Sequence, residues 1–193
     1  MSESVRPWAK VGPPTVLVEK FGKSILTQIF RNPRTGIDAE YLLFGHADWA
    51  TVLPVTEDGL VIAVRQYKQG CDRIVTELPG GMAEPGDADP VAAVTRELME
   101  ETGYRPERVT PVGPPLFMNA RNSWTKYHQF LATGCRRVAE PSFDEHEDLV
   151  SRTFSVDDWI RLCLEELVSP SAVATTFRAL PHLGYRFVRE APR

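Results

Sequence analysis

A chain of 193 residues that is 42% apolar and 25% charged has the composition of one ordinary globular domain, or one domain with a short extension. Its net charge of −4 leaves no overall basic footprint for nucleic acid, so a phosphate-bearing substrate would have to be met by local arginines or metal ions. Cys71, Cys135 and Cys163 are odd in number and far apart, which fits reduced thiols and argues against a disulfide framework or zinc site. With no signal-peptide h-region and no apolar run near the roughly 18 residues that span a membrane, the cytoplasm is the expected compartment, with no membrane partner.

Residues 1–15 hold three of the sixteen prolines and read as a loose arm. Thr15 to Phe30 carries two short β-like runs around Gly22, and Asn32-Pro33-Arg34-Thr35-Gly36 is a turn, so a hairpin over roughly 24–44 is expected. Ala50–Val55 and Leu60–Gln66 are apolar runs joined by Thr56-Glu57-Asp58-Gly59, again hairpin chemistry. Ile74–Leu78 leads straight into Pro79-Gly80-Gly81. After the next helix come strands over Val109–Phe117 and Tyr127–Thr133, linked by the polar segment Met118–Lys126. Leu149–Phe154 is a further strand, and Val156–Leu167 and Ser171–Leu180 are helices. Short strands with one internal helix and C-terminal helices define an α+β fold, an α/β/α sandwich around a mixed sheet.

The stretch Gly80–Tyr104, GGMAEPGDADPVAAVTRELMEETGY, carries the chemistry. Asp89 is the expected N-cap, Pro90 the first helical residue and Gly103 the C-terminal stop. Val91, Val94, Leu98 and Thr102 fall on one side, toward a core. Glu97 and Glu101 sit one turn apart with Glu100 beside them. Like charges four apart oppose helix formation by a few tenths of a kcal/mol, and the helix dipole disfavours anions at this end. A solvated acidic face is one reading; a divalent cation, which prefers carboxylate oxygens, is the other.

Arg96-Glu97-Leu98-Met99-Glu100-Glu101-Thr102-Gly103-Tyr104 resembles the REUxEExGU half of the Nudix box, where U is a bulky apolar residue. Glu77-Leu78-Pro79-Gly80-Gly81, Glu84-Pro85-Gly86 and Val64-Arg65-Gln66-Tyr67-Lys68 resemble the flanking motifs of the ADP-ribose and nucleotide-sugar pyrophosphatase branch. Asp144-Glu145-His146-Glu147-Asp148-Leu149 resembles the acidic loop that such enzymes place after the core sheet. One departure stands out. Counting forward from Gly81, the box's upstream glutamate falls on Asp87; counting back from Arg96, it falls on Ala88. One extra residue therefore sits in Asp87-Ala88-Asp89.

The resemblance implies a Nudix sandwich with a small N-terminal β extension: residues 1–44 as arm and dimerising hairpin, 45–193 as the hydrolase domain. It implies Mg²⁺-dependent hydrolysis of a nucleoside diphosphate linked to a sugar, with Mn²⁺ as a substitute and ADP-ribose, cleaved to AMP and ribose 5-phosphate, as the leading substrate. GDP-mannose or another NDP-sugar, another nucleotide class, and a non-catalytic nucleotide sensor are the alternatives. Glu97 and Glu101 would be the main metal ligands, with Glu100, Glu147 and the Gly80 carbonyl contributing. Arg96 would hold the helix carboxylates, and Glu145 matches the general base of several members of the branch. Arg65, Lys68 and Glu77 are the substrate-side candidates. Trp49 is a candidate for stacking on the base, although a tryptophan is more often part of a core. The serine-proline-glycine run of many ADP-ribose hydrolases is absent from the loop holding Asn122 and Trp124.

Overall fold

The computed structural model describes residues 4–166 and 169–188, and divides into two compact units. The first comprises the chain up to Ala47 together with Phe117–Lys126; the second comprises Asp48–Leu116 and the chain from Tyr127 onward. Leu167, at the expected end of a C-terminal helix, lies outside the described residues.

In the first unit, β1 (Ala9–Lys20), β2 (Lys23–Arg31) and β3 (Asp38–His46) form an antiparallel meander. The β1–β2 turn places Phe21 and Gly22 both at positive φ, 54° and 68°, as a two-residue turn matched to strand twist requires. Residues 9–15 are not the loose arm expected from their prolines, because Ala9 already pairs with Arg31. Pro13 and Pro14 fall in a register break between Val11 and Thr15, on an edge strand where a missing N–H leaves no ladder bond unmade. Residues 117–126 dock on the other edge. The Phe44 amide donates to the Asn122 carbonyl at 2.9 Å, and Asn122 Nδ2 donates to the Leu42 carbonyl at 2.7 Å. Thr125 Oγ1 accepts the His46 amide at 2.9 Å.

The second unit is built on a mixed sheet, β11-β5-β4-β10-β8, of β11 (Leu149–Phe154), β5 (Val61–Lys68), β4 (Trp49–Thr56), β10 (Tyr127–Arg137) and β8 (Tyr104–Arg105). β6 (Arg73–Glu77) pairs with β5, β7 (Gly80–Met82) with β4 and β9 (Arg108–Pro111) with β10, while β4 and β10 run parallel. The strand expected over 109–117 stops at Pro111, since Gly113-Pro114-Pro115 cannot continue a ladder.

Successive strand residues face opposite sides, and each side has its own core. Ala50, Val52, Ile62, Phe130 and Ala132 pack with Ala93, Val94 and Leu98 of α1 (Pro90–Thr102). Leu53, Val55, Val61, Ala63 and Leu131 pack with Trp159 of α2 (Val156–Glu165) and with Ala172 and Ala179 of α3 (Pro170–Ala179). The α/β/α sandwich is thus present, with α1 alone on one face. Among the described residues no helix is long and apolar enough to cross a membrane.

Candidate active site

Helix α1 begins and ends as its sequence dictates. Asp89 accepts the Ala92 amide at 2.8 Å, Pro90 occupies the first turn, and Gly103, at φ 73°, donates its N–H to the Met99 carbonyl. Val91, expected on the core side, is instead exposed, whereas Ala93 and Glu101 are buried.

Burial of Glu101 is the central feature. It is 4% exposed, and its carboxylate accepts the Gly80 amide at 3.1 Å. Burial, with the charges of Glu97 and Glu147 adding to it, pushes this carboxyl up to about 8, against the pull of the Gly80 N–H and Lys68. Burial likewise pushes Glu97 up to about 7, opposed by Arg96 and reinforced by Glu100 and Glu147. A Cβ at position 81 would meet the Glu97 carboxylate, so a side chain there would displace that carboxylate from its place.

Arg96 ties the turn to the helix. It forms ion pairs with Glu97 at 3.1 Å and Glu100 at 2.8 Å, donates to the Met82 carbonyl at 3.2 Å, and reaches both oxygens of Asp87 at 3.2 and 3.3 Å. Burial works against its charge, but Asp87, Glu97 and Glu100 outweigh that and hold the guanidinium above its usual range. Asp87 is held below the usual carboxylate range by Arg96 and by the Glu84 amide it accepts at 2.8 Å. Asp87 is thus the acid that meets Arg96 in the turn, where the two counts from Gly81 and Arg96 had left Asp87 and Ala88 open.

The other candidates divide between the two faces of the sheet. Lys68 and Glu77 form an ion pair at 3.0 Å, and Glu77 stands opposite Val64, on the α1 face. Glu147, whose carboxylate accepts the Asp144 amide at 3.1 Å, is close enough to raise both Glu97 and Glu101. Glu145 is exposed in the same loop, with no hydrogen-bond or ion-pair partner among the described residues. Arg65 is not brought to this group. It alternates with Val64 and Gln66 and lines a groove on the α2 face instead. Trp49 alternates with Ala50 in the same way, sharing the side of Leu53, and stacks on Tyr127 with centroids 6.4 Å apart.

The arrangement is a concentration of carboxylate oxygens, a donor set that suits a hard divalent cation. Burial pushes two of its members, Glu97 and Glu101, upward, and a bound cation would favour their charged forms. Among the described residues no three His, Cys, Asp or Glu side chains are grouped so that they could hold a metal ion as they stand.

Comparison with known proteins agrees with this geometry. The chain is 37% identical over 118 residues to an ADP-ribose pyrophosphatase of Bacillus subtilis, covering 61% of this chain and 63% of that protein. It is 39% identical over 77 residues to a mouse ADP-sugar pyrophosphatase and 34% identical over 64 residues to a methanol dehydrogenase activator of Bacillus methanolicus, covering 34% of each. The chain thus spans less than two thirds of the length of these relatives. A solved ADP compounds hydrolase superimposes with a TM-score of 0.80 over 95% of this chain and 97% of that one, at 18% identity, which establishes the shared fold. Residues 46–179 match the NUDIX domain, and with the Arg96–Tyr104 box carried by α1 and its C-cap the chain belongs to the Nudix family.

Proposed function

We propose that this enzyme hydrolyses the pyrophosphate bond of a nucleoside diphosphate linked to a sugar, with ADP-ribose, cleaved to AMP and ribose 5-phosphate, as its preferred substrate and Mg²⁺ or Mn²⁺ as its metal. The observation that carries the reading is the pair Glu97 and Glu101, one turn apart on α1 and covered by the Gly80–Met82 strand, where burial favours their neutral forms and a cation would favour their charged ones. The names of the Bacillus subtilis and mouse relatives support the substrate class. Glu97 and Glu101 hold the metal, assisted by Glu100, Glu147 and the Gly80 carbonyl. When bound, the divalent ion screens the pyrophosphate charge and acidifies the attacking water. Arg96 and Asp87 fix the turn against the helix, so the carboxylates keep their spacing while the substrate enters. Lys68, held by Glu77, offers a cation to the phosphates. Glu145, free on its loop, accepts the proton of the water.

The test is a screen of purified protein with Mg²⁺ against ADP-ribose, GDP-mannose, other NDP-sugars, nucleoside triphosphates and dinucleoside polyphosphates. ADP-ribose should give the highest kcat/KM, with AMP and ribose 5-phosphate as products. Faster turnover of GDP-mannose or a triphosphate would replace the substrate named here.

We also propose that the N-terminal sheet joins two copies of the chain. Val18, Ile25, Ile29, Leu42 and Phe44 share one of its faces and are 39–52% exposed, an apolar surface that water does not tolerate without cost. Light scattering after gel filtration should report a dimer, and Ile25→Glu/Leu42→Glu should report a monomer. A monomeric wild type would remove the proposal.

A further inference from the structure

The α2 face of the second unit holds a groove of about 290 Å³ between β5, β6, β11 and the end of α2. Arg65, Arg73 and Arg152 line it, beside Phe154, Leu162 and Glu166. Register pairs Arg65 with Val150 and Arg152 with Ala63, so these two arginines stand on adjacent strands as diagonal neighbours on one face. Among the described residues none of the three side chains has a hydrogen-bond or ion-pair partner. Arg65 and Arg152 thus share this face with one acid, Glu166, in a protein whose net charge is −4, while Arg73, opposite Lys68 in register, borders the groove from the end of β6. An anion bound there would relieve the repulsion among them.

The size of the groove selects the class of anion. Its volume lies at the lower end of small-molecule pockets, which start near ~300 Å³ and are too small for a folded partner. Guanidinium forks match phosphate oxygens two at a time, which a chloride cannot exploit. The wall formed by Phe154 and Leu162 suits the ring of a sugar or base rather than a bare ion. We propose that this groove is a binding site for a small phosphate monoester, a sugar phosphate or mononucleotide, on the side of the sheet opposite the carboxylates of α1. The site does not depend on the substrate reading above.

The test is calorimetric titration of the protein in EDTA with ribose 5-phosphate, AMP and inorganic phosphate. One of the esters should bind once per chain, more tightly than inorganic phosphate, and binding should weaken with added salt. Arg152→Gln should weaken it at least about tenfold, the scale of one lost charged hydrogen bond. Arg152→Lys, which keeps the charge but not the fork, should fall between that variant and wild type, with melting temperatures confirming folded protein throughout. Glu101→Gln should leave the binding unchanged. Absence of binding by either ester, or equal binding by wild type, Arg152→Gln and Arg152→Lys, would overturn the site. Loss of binding in Glu101→Gln would move it to the α1 face and overturn it equally.

Discussion

Glu97→Gln and Glu101→Gln are each expected to lower kcat/KM by roughly 10²–10³-fold, the scale of losing one fixed electrostatic contact to a developing charge in a water-poor site. Glutamine preserves the shape of the side chain. At position 101 its amide oxygen still accepts the Gly80 N–H, now made at 3.1 Å, so the turn keeps its anchor. A neutral group at a site only 4% exposed also escapes the burial penalty borne by a carboxylate. The variants should therefore fold and fail to turn over, and far-UV circular dichroism with steady-state kinetics separates the two effects. Wild-type rates in either variant would take the metal from that residue. The loop carboxylates sort by the same kinetics. Glu145→Gln should lose turnover while retaining metal and substrate binding, whereas Glu147→Gln, which removes a charge that both helix glutamates feel, should weaken metal binding. The reverse pattern would assign the base to Glu147.

Without metal, stability should fall as pH rises from about 5 to about 8. Glu97 and Glu101 titrate in the folded state near 7 and 8, above the ordinary value of 4.5. Across that interval the folded state holds protons that the unfolded state has released, and stability decreases with pH wherever the native state binds more protons. The contribution is fully present below the unfolded value and is lost once pH exceeds the folded ones. At about 1.4 kcal/mol per unit of displacement, the loss amounts to a few kcal/mol for each glutamate. Mg²⁺ acts in the opposite direction: at 100 times its Kd it adds about 2.7 kcal/mol, and it binds better as protons leave. Thermal melts in EDTA should slope downward from pH 5 to pH 8, Mg²⁺ should raise Tm more at pH 8 than at pH 6, and the double glutamine variant should lack both effects. A Tm in EDTA that is level or rises over this range would contradict the buried-carboxylate account.

Much of this was legible in the residues. Asp89, Pro90 and Gly103 bound α1 correctly because capping is local chemistry, decided within a few residues. The Leu149–Phe154 strand stands where its sequence put it for the same reason. Faces were harder to read. Val61–Val64 is apolar on both sides because the strand is covered by helices on both, so no alternation marks which way the polar residues after it turn. Arg65 and Lys68 look like one basic patch in sequence and are divided by the pleat. The buried state of Glu101 was hidden for a related reason: nothing in RELMEET distinguishes a carboxylate covered by a neighbouring strand from one in water. The pairing of residues 9–15 with β2 rested on tolerance of proline at an edge, which is a property of the partner strand as much as of the segment itself.

The docking of residues 117–126 on β3 also bears on the order in which the chain can complete itself during synthesis. The meander of β1, β2 and β3 emerges first, yet the Leu42 carbonyl and the Phe44 and His46 amides wait for partners some 80 positions later, at Asn122 and Thr125. Until those residues leave the ribosome, that edge presents unpaired backbone groups to whatever is nearby. A fragment ending near residue 47 would keep the edge open permanently. Transplanting the N-terminal sheet onto another enzyme would therefore require moving two segments of the chain, not one.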